Sequence, residues 1–335
     1  MKALVKGVCA SPLLTRLGAA RTRGGVLILN YHDIAADGDP TCWLRVPQAE
    51  FDRQLSLLER VGEFVTPDAL AAAAQDGRHS AREGRLRLLL TFDDGYVNNR
   101  YLALPVLEKH GAPALFFVST FHAATGEPFW FDRVVACVQA DRRETLDLRE
   151  FGLGWYGFAT ADDRHRWEDV ERVLVAIKTL GNADDPRVDA ILRRCEELSG
   201  PAARKYLTGC RPLGRDDLRA MRASGLCSFG SHGHRHEILT YLDDVALAAN
   251  LAASRAYLED ALGEPTRDIA YPNGNLDGRV VRAVQEAGFK RGYTTVRGVA
   301  RSGHDPLRLP RVLIGGYDDP TTLFWLVNRA LLAGS

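Results

Sequence analysis

Leu88-Leu89-Leu90-Thr91-Phe92-Asp93-Asp94-Gly95 is an apolar run closed by two carboxylates and a glycine. Such a run reads as a buried strand, and the residues after it as the turn that ends it. In α/β barrels the side chains that do chemistry collect at the carboxyl ends of strands, which places Asp93 and Asp94 at such an end. A second stretch, Ser231-His232-Gly233-His234-Arg235-His236, follows another short strand-like segment and spaces two imidazoles four residues apart. If that segment makes a helical turn, His232 and His236 share one face. One carboxylate with two imidazoles suits a divalent metal such as zinc. The second carboxylate is then free to take a proton from an attacking water. Adjacent aspartates also cap helices, but capping does not account for the histidine pair. These residues point to a metal-dependent hydrolase.

Around these stretches, strand-like segments alternate with helical ones, which predicts a mainly parallel sheet or barrel. Strands are expected at 26–30, 85–92, 114–118 and 268–271. Phe51, Leu55 and Leu58 recur at helical spacing, and a further helix is expected through Tyr101, Leu104, Val106 and Leu107 to Gly111. Leu247, Leu251, Leu258 and Leu262 stripe a long helix after the histidines, and a last helix is expected over 321–332. Residues 122–212 break the rhythm. They open with Phe129-Trp130-Phe131 and continue into charge-rich helical stretches at 164–180 and 187–198. They are expected to be an insertion that forms a wall or lid on a domain spanning 25–335.

The chain has 335 residues, 46% hydrophobic and 26% charged, with Lys+Arg and Asp+Glu equal at 43 each. That is enough apolar material for a substantial core, and no global field favours nucleic acid. No run of about 18 apolar residues is present, so no spanning helix is expected. The six cysteines contain no C-x-x-C pair and read as buried free thiols of a reducing compartment. Residues 1–24 read as two short amphipathic helices, the second capped by Ser11 with Pro12 at its first position. The expected location is cytoplasmic, with peripheral membrane contact through these helices as an open variant and a cleaved signal as the lesser alternative.

The motifs resemble those of the polysaccharide deacetylases, whose shared catalytic region is the NodB homology domain. Thr91-Phe92-Asp93-Asp94-Gly95 matches the family's first motif without change, and His232 and His236 keep the spacing of its second. Gly233 stands where that motif usually has a hydroxyl residue. The likeness starts near Asn30-Tyr31-His32, runs through 114–118 and Ala270-Tyr271-Pro272-Asn273-Gly274, and reaches Leu309-Pro310-Arg311. It implies a distorted (β/α)7 barrel with a mainly helical insertion. It also implies Asp94, His232 and His236 as ligands of a divalent metal, zinc or else Co2+, Ni2+ or Mn2+, and Asp93 as general base.

The implied activity is removal of N-acetyl groups from amino sugars of a polysaccharide or its precursor. Alternatives are deacylation or deformylation of a lipid-linked or small-molecule substrate, and a carbohydrate-binding protein without catalysis. Tyr31-His32-Asp33 resembles the start of the poly-N-acetylglucosamine deacetylase branch, where the acid histidine lies near the N-terminus. His32 is therefore expected to protonate the leaving amine, ahead of the late candidate His304. Where many members place an arginine that orients the base, this chain has Ala270. Arg311 is the expected substitute, holding Asp93 ionised. Backbone N–H groups near Gly95 and Tyr96 are candidates for stabilising the oxyanion. Tyr271 is a candidate for the acetyl pocket and Trp130 for stacking on a sugar.

Overall fold

The computed structural model describes residue 15 and residues 25–39, 42–70, 85–158, 163–181 and 185–332. The expected apolar runs form the strands of one parallel sheet. They are β1 (Val26–Tyr31), β2 (Leu86–Phe92), β3 (Ala114–Val118), β4 (Cys227–Ser231), β5 (Asp268–Ala270), β6 (Arg291–Tyr293) and β7 (Val312–Leu313). Their spatial order is β6-β5-β4-β3-β2-β1-β7, so each strand lies beside its neighbour in sequence and the last returns to the first. The short strand Gly62–Phe64 adds to the beginning of β2, with Gly62 opposite Leu86. All residues of β1 and β3 are buried, as expected of parallel strands covered on both faces.

The segment around Arg311 links the two edges of the sheet. Leu309 N–H donates to Gly292 O at 2.8 Å and Thr294 N–H to Leu309 O at 2.9 Å, while Ile314 N–H donates to Asn30 O at 2.9 Å. One short stretch thus pairs with β6 and then with β1, which closes the seven-stranded barrel.

Helices wrap the outside where the periodicity placed them. Asp244–Leu262 is capped by the Asp243 carboxylate on Ala246 N–H at 2.8 Å and buries Leu247, Leu251 and Leu258 against the barrel. The helix expected through Tyr101 differs in part. Asn99–Ala103 takes a wider π-type turn, and the α-helix proper is Leu104–His110, ended by Gly111 at φ 56°. Tyr101 lies on its exposed side. The closing helix is Pro320–Leu332.

The irregular middle of the chain contains the helices Trp130–Val135, Asp163–Lys178, Pro186–Leu198 and Pro201–Gly209, with a two-stranded hairpin between the first two. Phe129, Phe131, Trp167, Ile191 and Cys195 pack into a hydrophobic cluster separate from the barrel core. The cluster reaches back to Trp43 and Leu44 in the loop after β1, which anchors it beside the strand ends. The amphipathic helices expected over residues 1–24, and the alanine-rich helix end expected at 71–75, lie outside the described residues. No described helix is long and apolar enough to cross a membrane.

Candidate active site

A cavity of about 340 Å³ opens at the carboxyl ends of β1, β2, β4 and β5, with insertion residues on its opposite side. Asp93 and Asp94 leave β2 in different directions because Asp94 adopts φ 71°, in the left-handed region that only a few non-glycine residues visit. Gly95 follows at φ 85°, where a side chain would press on Val118 at 3.2 Å. The left-handed turn lets two consecutive carboxylates serve two different partners.

Asp94 meets both histidines. Its Oδ1 lies 3.4 Å from His232 Nε2 and 3.2 Å from His236 Nε2, and the candidate donor atoms of the three residues all lie within 4.8 Å of one another. Ligands about 2.0–2.1 Å from a tetrahedral zinc are about 3.3 Å apart, so these separations fit a shared cation. Asp94 Oδ1 is also buried without a hydrogen-bond partner, a costly arrangement unless something positive sits against it. His232 Nδ1 faces Ala270 O at 2.9 Å, which fixes the proton on that nitrogen and leaves Nε2 turned to Asp94. The residues fit a divalent cation.

The two histidines do not converge through a helical turn. Residues 232–238 form an irregular loop, with Gly233 at φ 73° and His236 at φ 55°. Side chains from elsewhere hold it. Ser231 Oγ accepts from Gly233 N–H at 3.0 Å and donates to Ser254 Oγ at 2.8 Å, while Asn250 accepts from His234 N–H at 3.0 Å and donates to Glu237 at 2.6 Å. The usual hydroxyl residue is absent at Gly233, and Ser231 and Asn250 brace the loop instead. A side chain at 233 would approach Asn250 Oδ1 at 3.3 Å. His234 turns away from Asp94, with Nδ1 at 2.9 Å from Thr120 Oγ1.

Arg311 grips Asp93 with both ends of its guanidinium, Nη1 to Oδ1 at 2.7 Å and Nη2 to Oδ2 at 2.8 Å. Asn30 adds a bond to Oδ2 at 3.0 Å. Of roughly four lone-pair positions on a carboxylate, these three bonds leave one, on Oδ1. Burial pushes the Asp93 carboxyl upward, but Arg311 and then His232 outweigh it and bring it down to about 2. Arg311 itself is 1% exposed and fully engaged, since its Nε donates to Thr294 O at 2.9 Å and Nη1 also reaches Asn30 Oδ1 at 3.0 Å.

His32 lines the same cavity, and its Nδ1 is buried without a hydrogen-bond partner. Burial lowers its basicity, opposed by Asp94 and Asp93. A less basic imidazole is, once protonated, a stronger acid toward a departing amine, and the two carboxylates favour that protonated form. His304 is exposed in a polar loop, where Nδ1 accepts from Arg301 N–H at 3.3 Å, and it does not line the cavity.

The remaining candidates divide. Trp130 and Tyr271 line the cavity, but the Tyr271 hydroxyl is committed to Leu307 O at 2.8 Å. Gly95 N–H donates to Asp93 O at 2.9 Å and so is not free for an oxyanion. The Tyr96 side chain is buried away from the cavity, with its hydroxyl bonded to Asp132 at 3.0 Å, which leaves the backbone N–H at this position as the oxyanion candidate. Reading the sequence missed Asn30, Ser231, Asn250 and Ser254. Three of them left a signal: Asn30 is a polar residue in the otherwise apolar β1, and Asn250 and Ser254 interrupt the buried face of Asp244–Leu262.

Comparison with known proteins agrees with this geometry. The deacetylase PplD of Streptococcus pyogenes, solved in complex with acetate, superposes with a TM-score of 0.59 at 20% identity, covering 90% of this chain and 98% of that one. IcaB from Ammonifex degensii gives a TM-score of 0.56 at 22% identity, covering 91% and 97%. At these identities the likeness is one of fold. YxkH of Bacillus subtilis (strain 168), named provisionally as a polysaccharide deacetylase, is 38% identical over 93 residues, or 27% of this chain. The matched part spans only 30% of that relative's length. The polysaccharide deacetylase family model matches residues 81–292, a stretch that contains Asp93, Asp94, His232 and His236. The chain belongs to the polysaccharide deacetylase family.

Proposed function

We propose that this chain is a metal-dependent hydrolase that removes N-acetyl groups from amino sugars of a polysaccharide or its precursor. The observation that carries the reading is the buried, unpartnered Asp94 Oδ1 between two imidazoles, beside a second carboxylate in one cavity. Asp94, His232 and His236 would hold the cation, with zinc the best match to the donor set. When bound, the cation supplies a Lewis acid for the carbonyl oxygen and lowers the pKa of water.

The chain's own residues do the rest. Asp93 accepts the proton of the attacking water at the open position on Oδ1, and Arg311 with Asn30 keeps the carboxylate oriented. His32 donates a proton to the departing nitrogen, since a neutral amine leaves far more readily than an amide anion. Trp130 lies where a sugar ring can rest on its face. Cys42, Cys137, Cys195, Cys210 and Cys227 are buried free thiols.

The test is acetate release from N-acetylglucosamine oligomers of several lengths, with zinc-loaded and chelator-stripped protein. Acetate should appear only with the loaded protein. Asp93→Asn should retain zinc and lose roughly 10²–10⁴-fold in rate, because the amide cannot take the proton. No acetate from any amino sugar by the zinc-loaded protein would favour a binding role. Near-normal rates in zinc-loaded Asp93→Asn would remove Asp93 from the mechanism.

A further inference from the structure

The cavity has two unlike halves. At one end stand Asn30, His32, Asp93, Asp94, His232 and His236. The other is walled by Trp43, Leu44, Trp167, Leu174, Ile177 and Val188, all of one hydrophobic cluster. The path between them runs over aromatic faces. The His32 ring lies 6.2 Å from that of Trp43, and Trp43 stacks on Trp167 at 6.5 Å with an angle of 15° between planes. Trp167, Leu174 and Ile177 share a face of Asp163–Lys178, and Val188 comes from the next helix. The polar side chains nearest this half are Glu171, which is exposed, and Lys178 and Asn273, which are bonded to each other at 2.6 Å; Glu237, which accepts from Asn250 at 2.6 Å, and Thr295 also line the cavity.

A second sugar ring would bring several hydroxyls into this half, where the walls offer few groups to receive them. Burying hydroxyls without partners is unfavourable, whereas a hydrocarbon group removes apolar wall from water and needs no partner. Because the two halves form one cavity, a group attached to the molecule being hydrolysed can reach the apolar half. His32 also sets direction. As the acid for the leaving nitrogen it stands on the amine side of the scissile bond, and the apolar half begins beyond it.

We propose that the apolar half holds a hydrocarbon group carried on the amine side of the amide, so that the substrate is an N-acyl amino sugar attached to an apolar carrier. This rests on the deacetylase reading above and on His32 as the acid. It names the precursor class, rather than the finished polymer, as the substrate.

The test uses the full, zinc-loaded chain and two sets of compounds below their micelle concentrations. The first set is the methyl, butyl and octyl β-glycosides of N-acetylglucosamine. The second is the methyl glycoside of glucosamine bearing acetyl, butyryl or hexanoyl on nitrogen. Rates of amine release give kcat/KM, and tryptophan fluorescence gives binding of methyl and octyl β-glucosaminide, which carry no acyl group to lose. In the glycoside set kcat/KM should rise about fourfold for each methylene the cavity accepts. Octyl glucosaminide should bind more tightly than methyl by a similar factor per methylene. Leu174→Asn and, separately, Val188→Asn should flatten the glycoside series.

Two outcomes overturn the proposal: a flat glycoside series, or a rise confined to the acyl set, which would put the apolar group on the other side of the bond. If N-acetylglucosamine oligomers are hydrolysed and octyl glucosaminide binds no better than methyl, the carrier proposal fails alone. If nothing is hydrolysed yet octyl glucosaminide binds more tightly, the deacetylase reading fails and the apolar subsite stands.

Discussion

On the barrel side of the cavity the charges are buried and tightly tied, as Arg311, Asn30 and Asp93 show within a few ångströms. On the insertion side the ion pairs stay at the surface, such as Arg133 with Glu196 at 2.6 Å and side chains 21% and 56% exposed. The core of the insertion is mostly apolar contact among Phe129, Phe131, Trp167 and Ile191, with the buried Arg166 and Asp132 hydrogen-bonded to Val138 O and the Tyr96 hydroxyl, respectively. Desolvated charges depend on geometry, whereas apolar packing tolerates substitution of similar volume. Chemistry is therefore expected to depend on the barrel side, and choice of substrate on the insertion side.

The largest test of this contrast is Arg311→Met. Removing one partner of a buried pair leaves Asp93 uncompensated, a loss of roughly 3–5 kcal/mol that urea unfolding would read as a lower midpoint. Arg311→Met combined with Asp93→Asn should recover part of it, because the stranded charge is gone. No recovery in the double variant would mean that Arg311 matters through something other than Asp93.

His32→Ala comes next and concerns rate. Zinc should be retained while hydrolysis of an acetylated amine falls by roughly 10²–10⁴-fold. An activated ester, whose leaving group needs no proton, should be hydrolysed nearly as before. His304→Ala should alter neither reaction, and the reverse pattern would move the acid to the late loop.

The smallest effect is expected on the insertion side. Arg133→Met breaks an exposed pair and should cost no more than about 1 kcal/mol in the same unfolding measurement. A loss matching that of Arg311→Met would break the contrast between the two sides.

The barrel was legible because buried parallel strands are nearly all apolar, and Leu88-Leu89-Leu90 and Ala114–Val118 stand out against any background. The Asp-Asp pair and the two histidines were legible for a related reason, since each cluster is local in sequence. Partnerships across distance were harder to read. Arg311 and Asp93 are 218 positions apart, and only a resemblance suggested them for each other. Asn30 was invisible as a partner because one polar residue in a strand has many explanations. The form of the histidine loop was not legible, because i, i+4 spacing also fits a helical turn, while the loop with its positive φ at His236 is braced by Asn250 in a distant helix. The apolar half of the cavity was hidden for the same reason, as Trp43 and Trp167 meet only once the insertion folds back.

The closing segment 309–314 also sets an order of events during synthesis. At roughly 5–20 residues per second, the ribosome delivers Asp93 about 10–40 seconds before Arg311. Until then Asp93 lacks the guanidinium that pairs with it in the finished barrel. Arrival of Arg311 completes the wall and pairs the Asp93 carboxylate in one step. A chain terminated before residue 311 would contain both aspartates and both histidines of the second motif, yet lack the counter-charge that holds Asp93.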